Sequence, residues 1–418
     1  MKNFFRITLV LSFLLLIAGI VVCLTDSKSN LNLLLVAALV LLAISFRGFS
    51  LLKGFSYTVL ILAAVSIAML YPSYFFSFGN FQLKKLIVPF VQLTMFGMGS
   101  HMSFEDFKGV VKMPKGVLVG VSCHFTIMPL VGFALSNVFS FPSEIAGGVI
   151  LIGCVSSAMA SNVMSYLSGA NLALAVTIGA CSTILSPVLT PFLMKGLAGQ
   201  YILINTAHMM IDITNMIIIP IVAGFIFNLF FYGNVSGREK LTQLIVFAAI
   251  IVATDFAMCI IPGQGSSSFW GELANSMSWF YLLPMGVALL FRQVFRLSRQ
   301  TVEQSLSLIA MLGILINTVI ITASGRENLI QVGGLLILSC LLHNLTGFCV
   351  GYFAARLFGL PEKDRRTIAF EVGMQNGGVA TGLALQMGKV ATVGLASAIF
   401  GPLQNVTGSA LANWFRSR

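Results

Sequence analysis

The chain is 418 residues long, 57% hydrophobic and 9% charged, with a formal net charge of +11. Its mean hydropathy of +0.96, with 39 glycines, 35 phenylalanines and 19 methionines, describes a polytopic membrane protein. No stretch is polar enough for long enough to form a soluble domain. The seven cysteines all fall in apolar runs, which argues against a disulfide framework.

In chain order, MKNFFR and the apolar run behind it have the outline of a signal peptide. The run is about 20 residues long without a small-residue cleavage pattern, so it is read as a retained helix. Apolar runs then recur at 31–46, 55–75, 86–100, 117–138, 144–167, 171–193, 204–231, 241–261, 275–291, 303–323, 330–355, 367–387 and 389–411. With the first run, 5–24, they make fourteen candidate spans. A cytoplasmic N-terminus places 18 of the 24 Lys and Arg on the inside, among them Lys108, Lys112, Lys115, Arg292, Arg296, Arg299, Lys363, Arg365 and Arg366. That positive-inside bias explains the basic excess as a topology signal rather than as nucleic-acid binding. Both termini are then cytoplasmic, and the absence of a eukaryotic targeting segment points to a bacterial inner (plasma) membrane.

A repeat lies within these spans. Shifted by 219 residues, HFTIMPLVGFALSNVFSFP (124–142) falls on HNLTGFCVGYFAARLFGLP (343–361), pairing His124 with His343, Val131-Gly132 with Val350-Gly351, Phe139 with Phe358 and Pro142 with Pro361. Ser161-Asn162 follows the first copy, and Gln375-Asn376 follows the second at nearly the same distance. The copies lie seven spans apart, so they cross the membrane in opposite senses. Inverted repeats of this kind build many secondary transporters, with the binding site at the midplane between them.

The stretch EVGMQNGG (371–378) places Glu371, Gln375 and Asn376 in the middle of an apolar span, next to two glycines. Backbone can leave helical geometry at that depth only where it lines a protein-enclosed cavity. GCVSSAMASNVMSYL (153–167) breaks its span in the same way with Ser156, Ser157, Ser161 and Asn162. A broken helix offers carbonyls to a cation at one new end and N–H groups to an anion at the other. Two such breaks crossing around a carboxylate form a site for an anion and a cation together. A mid-membrane carboxylate is a functional candidate by default, since it costs about 2.5–3.5 kcal/mol on insertion scales.

EVGMQN, ASNVMSYL, STILSPVLTP (182–191), MFGMGSHMSFEDF (95–107) and LPEKDRR (360–366) together resemble the bile acid/sodium symporter family, over about 55–235 and 303–412. The resemblance implies an all-α polytopic membrane protein with a ten-helix core of two inverted five-helix repeats. It also implies a panel and a core domain, two discontinuous crossing helices, and transport of organic anions coupled to sodium. About four helices are extra. The division is 1–54, an N-terminal transmembrane hairpin; 55–200, the first repeat; 201–235, the first helix of the second repeat; 236–300, an inserted hairpin; and 301–418, the remainder.

Carried over residue by residue, the resemblance places one sodium at Ser161, Asn162, Glu371 and positions 175 and 179. It places a second at Glu371, the Val372 and Met374 carbonyls, Gln375 and position 124. Substrate would meet Ser161, Asn162, Asn376 and Gly377. The expected hydroxyls at 175 and 179 are Ala175 and Gly179, the expected amide at 124 is His124, and the Pro-Gly-Gly often found at the first break reads Ser156-Ser157-Ala158. Sodium wants about five or six oxygens by analogy with other hard cations, so the first site needs water, Thr177, Ser182 or Thr183 to complete it. An imidazole ligates hard cations poorly but exchanges protons near neutral pH, and His124 facing Glu371 would form a proton-titratable pair. The coupling ion is therefore sodium or proton, with no other cofactor or metal.

Alternatives stay open. His343 reads as structural, Asp212 and His208 as a hydrogen-bonded pair, and Asp255 as an ion-paired or snorkelling group. Cys154 near the first break is the one feature consistent with arsenite-like metalloid efflux. A non-transporting anion-binding membrane sensor is a third reading. No HExxH, GxSxG, CxxC or Walker motif occurs, so the chain is not expected to be an enzyme. The expected partners are a small organic anion (a steroid, a 2-oxo acid or a hydroxy acid), the lipid bilayer and, at most, a second copy of the chain.

Overall fold

The computed structural model describes residues 2–24, 28–49, 55–102, 109–232 and 278–417, with isolated residues between 237 and 253. Helix dominates. Of the expected spans, 241–261 lies mostly outside the described residues, together with Asp255; every other span meets a described helix or helix pair.

At the N-terminus, α1 (Lys2–Leu24) packs on α2 (Lys28–Phe46), and α2 packs on α3 (Ser56–Leu70). The apolar run continues to 75, but the helix stops at Leu70 because Pro72 disfavours helical geometry in the residue before it. A short hairpin follows, β1 (Ser77–Phe78) against β2 (Phe81–Gln82), turned on Gly79 at φ +58.

Helix α4 (Ile87–His101) lies against α9 (Thr206–Phe231) at backbone distance. A Cβ on Gly99 would come within 2.2 Å of the Ile221 carbonyl oxygen, and one on Gly224 within 2.2 Å of the Phe96 carbonyl oxygen. Small residues that admit close backbone approach are how membrane helices gain packing when lipid removes the hydrophobic drive. Helix α9 widens into a π turn at Thr214–Ile218, just ahead of Pro220, whose missing N–H cannot serve the preceding ladder. The same device recurs before Pro284, where the π turn Ser278–Leu282 leads into α10 (Leu283–Leu289). Helix α11 (Arg299–Ser324) begins at Ser298, whose hydroxyl accepts from Thr301 N at 3.1 Å, and it packs on α3 and α4.

The other helices form a second packed group: α5 (Pro114–Val138), α6 (Ser143–Cys154), α7 (Ala160–Leu167), α8 (Leu172–Ala198), α12 (Arg326–Leu357), α13 (Glu362–Gly373), α14 (Gly377–Gln386) and α15 (Gly394–Arg416). Here α6 and α7 are the two halves of one broken span, and α13 and α14 are the halves of the other. Each is held at its entry by the turn that follows its counterpart. The Glu144 carboxylate in the first turn of α6 meets Lys389 and, at 2.5 Å, the Thr392 hydroxyl in the turn after α14. The Asp364 carboxylate in the first turn of α13 accepts from the Asn171 side chain in the turn after α7 at 2.8 Å. Thr367 and the Asn171 backbone exchange two further bonds of 3.0 Å.

Among the described residues, five helices are long and apolar enough to cross a membrane: α5, α8, α9, α11 and α12. Shorter apolar helices, including α3 and α6, accompany them. The architecture is that of an all-α membrane protein.

Candidate cation and anion site

The two breaks cross. Ser157 and Gln375 form an isolated antiparallel bridge, Ala158 N donates to Met374 O at 3.1 Å, and Asn376 N donates to Ser156 O at 2.9 Å. Two interrupted helices thus satisfy part of each other's freed backbone by pairing like short strands, which non-helical backbone at this depth requires.

The end of α13 shows how complete this is. The last four carbonyls of a helix lack intrahelical partners. Here Phe370 O accepts from Met374 N at 3.0 Å, Glu371 O from His124 Nδ1 at 2.8 Å, Val372 O from the Gln375 side-chain amide at 2.7 Å, and Gly373 O from Asn344 Nδ2 at 2.8 Å. At the other break, His124 Nε2 lies 2.8 Å from Val155 O. His124 is therefore a buried tie between the two breaks, and both ring nitrogens face acceptors.

This geometry corrects one expectation. His124 is not paired with the Glu371 carboxylate; it meets the Glu371 main-chain carbonyl. The Val372 and Met374 carbonyls, expected to face a second cation, accept from the Gln375 side-chain amide and from Ala158 N respectively.

The Glu371 carboxylate is fully buried and hydroxyl-lined. Ser161 Oγ donates to Oε1 at 2.5 Å and Ser157 Oγ to Oε2 at 2.7 Å. Gly179 on α8 faces the same group, since a Cβ there would lie 3.7 Å from Oε2. Ser182 Oγ accepts from Ser157 N at 3.3 Å and donates to Gly179 O at 2.9 Å. Thr183 donates to the same carbonyl at 2.7 Å, and Thr177 donates to Ala173 O at 2.8 Å. Three buried side-chain oxygens at the breaks have no hydrogen-bond partner among the described residues: Ser156 Oγ, Asn162 Oδ1 and Gln375 Oε1. Orphaned acceptors around a buried carboxylate suit a hard cation that ligates oxygen.

A cavity of about 150 Å³ opens where the crossing faces α3, α4 and α11. Its walls include Ala158 and Ala160 from the first break, Gln375, Asn376, Gly377 and Gly378 from the second, and Thr94 and Asn317 opposite. The Asn376 side chain caps α14 by accepting from Val379 N at 3.3 Å. Of the residues expected to meet substrate, Asn376 and Gly377 line this cavity, whereas Ser161 and Asn162 do not.

Gln404 on α15 holds Gln375 on both sides, accepting from its N at 2.7 Å and donating to its O at 2.9 Å. The motifs did not single it out, although a Gln-Asn pair inside an apolar span carried the same signal as Gln375-Asn376. His343 Nε2 donates to the Met128 carbonyl at 2.8 Å from a buried position, as a structural histidine would. His208 and Asp212 lie one turn apart on α9. Cys154 is fully buried and does not line the cavity.

Residues 88–267 match the model of the Sodium Bile acid symporter family. Over that stretch the chain is similar to this family. It is 28% identical over 372 residues to the uncharacterized sodium-dependent transporter YocS of Bacillus subtilis (strain 168), covering 89% of this chain and 94% of that one. It is 27% identical over 326 residues to the "Probable sodium/metabolite cotransporter BASS1, chloroplastic" of Arabidopsis thaliana, covering 78% of this chain and 65% of that one. It is 28% identical over 294 residues to the ileal sodium/bile acid cotransporter of Homo sapiens, with 70% and 67% covered. The chain thus spans nearly all of the Bacillus relative but under two thirds of the plant one. The family and these relatives are transporters, not enzymes.

Proposed function

We propose that the chain is a sodium-coupled secondary carrier for a small organic anion, with the cation at Glu371 and the anion in the cavity beside Asn376 and Gly377. The observation that carries the cation is the fully buried Glu371 carboxylate, held by two serine hydroxyls at the crossing of two broken helices. The relatives' names, which describe sodium-dependent transport, support sodium over proton. So does the placement of His124, whose ring nitrogens are engaged with carbonyls and form no relay to the carboxylate.

The N-terminus of α14 favours a negative group in the cavity, and among the described residues no Lys or Arg side chain lines it. A volume of about 150 Å³ favours a short carboxylate over a steroid, because drug-sized ligands occupy roughly 300–1,000 Å³. The inverted-repeat reading adds that α5–α8 and α12–α15 are equivalent units of opposite orientation. It is supported by the two breaks and by the His124 and His343 pairing in the shifted sequences.

Uptake into proteoliposomes tests this, with sodium and pH gradients imposed separately and three probes: a 2-oxo acid, a short hydroxy acid and a steroid sulfonate. Sodium-driven accumulation of one of the small acids is expected. Binding without accumulation would favour the sensor reading, and accumulation driven by a pH gradient alone would replace sodium with proton.

A further inference from the structure

The family resemblance expects a hydroxyl at position 179 and a glycine in the middle of the first break. This chain has Gly179 and Ser157 in those places. In the fold the two positions face the same atom. Ser157 Oγ lies 2.7 Å from Glu371 Oε2, and a Cβ on Gly179 would come within 3.7 Å of that oxygen while meeting nothing else within 4 Å. One side of the carboxylate has exchanged its hydroxyl for a hydrogen atom, and the other has done the reverse.

We infer that Ser157 supplies the cation-coordinating hydroxyl that α8 has lost, so that Glu371, Ser157 and Ser161 form the centre of a relocated sodium site. The inference rests on the proposal that sodium binds at Glu371. Both hydroxyls have somewhere to send their hydrogen when a lone pair turns to a cation. Ser161 Oγ is 2.6 Å from Ala158 O, and Ser157 Oγ is 3.5 Å from Met374 O. Ser157 is 2% exposed, and its backbone N–H is held by Ser182, which is itself tied to Gly179 O. The break is thereby positioned from α8 even though α8 contributes no side-chain oxygen at 175 or 179. Placing the hydroxyl on the break also joins cation binding to the residues that pair with Met374 and Gln375 across the crossing.

The test is the sodium affinity of the purified full-length chain in detergent, read as a thermal shift in NaCl against choline chloride at equal ionic strength. S157G should weaken sodium affinity by at least about tenfold, as losing a group that shapes a metal site does. Adding G179S to S157G should recover most of that loss, because a side chain at 179 reaches the same carboxylate oxygen. The rescue separates a missing ligand from a damaged fold. Wild-type affinity in S157G, or a folded S157G/G179S that stays weak, overturns the inference. If S157G keeps its sodium response while E371Q loses it, sodium still binds at Glu371 and only the relocation fails. No sodium-specific shift in the wild type would overturn both.

Discussion

Replacing Glu371 by Gln changes the charge at the crossing while keeping its shape. The carboxylate is fully buried, accepts from Ser161 at 2.5 Å and from Ser157 at 2.7 Å, and among the described residues has no basic side chain within hydrogen-bond distance. A glutamine keeps one acceptor oxygen, and a serine hydroxyl can turn to accept from its amide, so the fold should survive. The cation should not. Two unit charges about 4 Å apart at an effective dielectric of about 20 attract by roughly 4 kcal/mol. At about 1.4 kcal/mol per decade, that is close to a thousandfold in affinity. The assay pairs sodium-dependent thermal shift with sodium-driven uptake in proteoliposomes. E371Q should melt within a few degrees of wild type in choline and show no shift at sodium concentrations that saturate wild type. A sodium affinity within threefold of wild type would refute the assignment of the cation to this carboxylate.

Removing the imidazole by His124→Ala strands the Val155 and Glu371 carbonyls, each now 2.8 Å from a ring nitrogen. A buried polar group left unpaired costs about 1–3 kcal/mol, so denaturation in detergent should show a marked loss, and His124→Gln, which restores one donor, a smaller one. Equal stability of wild type and H124A would remove its role as a tie. At the α4–α9 crossing, G224L should destabilise by about 1–3 kcal/mol or more, because even a Cβ there would lie 2.2 Å from Phe96 O. G97A is the control: a Cβ at Gly97 meets nothing within 4 Å, and the same melt should show it neutral or slightly stabilising.

The spans and the breaks were legible because apolar length and misplaced polar residues are local signals. Glu371, Gln375 and Asn376 announce themselves by being costly where they stand. The short hairpin after α3 was also readable, since Gly79-Asn80 between two aromatic residues is a turn signal, but it falls between the runs 55–75 and 86–100 and was not taken up. Neither the partners of His124 nor the contact between Ser157 and Glu371 could be read in this way. They join residues 247 and 214 positions apart, and whether a histidine faces a carboxylate or its carbonyl depends on about one residue of register. The resemblance named positions 175 and 179 as ligands and so drew attention to what was missing there. The compensating hydroxyl stood at Ser157, in a stretch that registered only as the loss of Pro-Gly-Gly.

On the proposed reading, the same contacts explain why anion and cation would move together. Five residues separate the carboxylate at Glu371 from the start of α14 at Gly377, and the last three of them, Met374, Gln375 and Asn376, are not free to shift alone. Met374 O is bonded to Ala158, Gln375 is clamped on both sides by Gln404, and Asn376 N is bonded to Ser156. A cation drawn between Glu371, Ser157 and Ser161 pulls on both sides of that crossing. It thereby fixes the start of α14, whose cap at Asn376 orients the N–H groups that an anion would meet. The contacts at the outer ends of the broken helices, Glu144 with Lys389 and Asp364 with Asn171, are partly exposed and worth about 1 kcal/mol or less for an ion pair. They align the halves without making the crossing rigid. Coupling then requires only that each ligand meet a break already ordered by the other, a shared ordering cost that binding either one reduces.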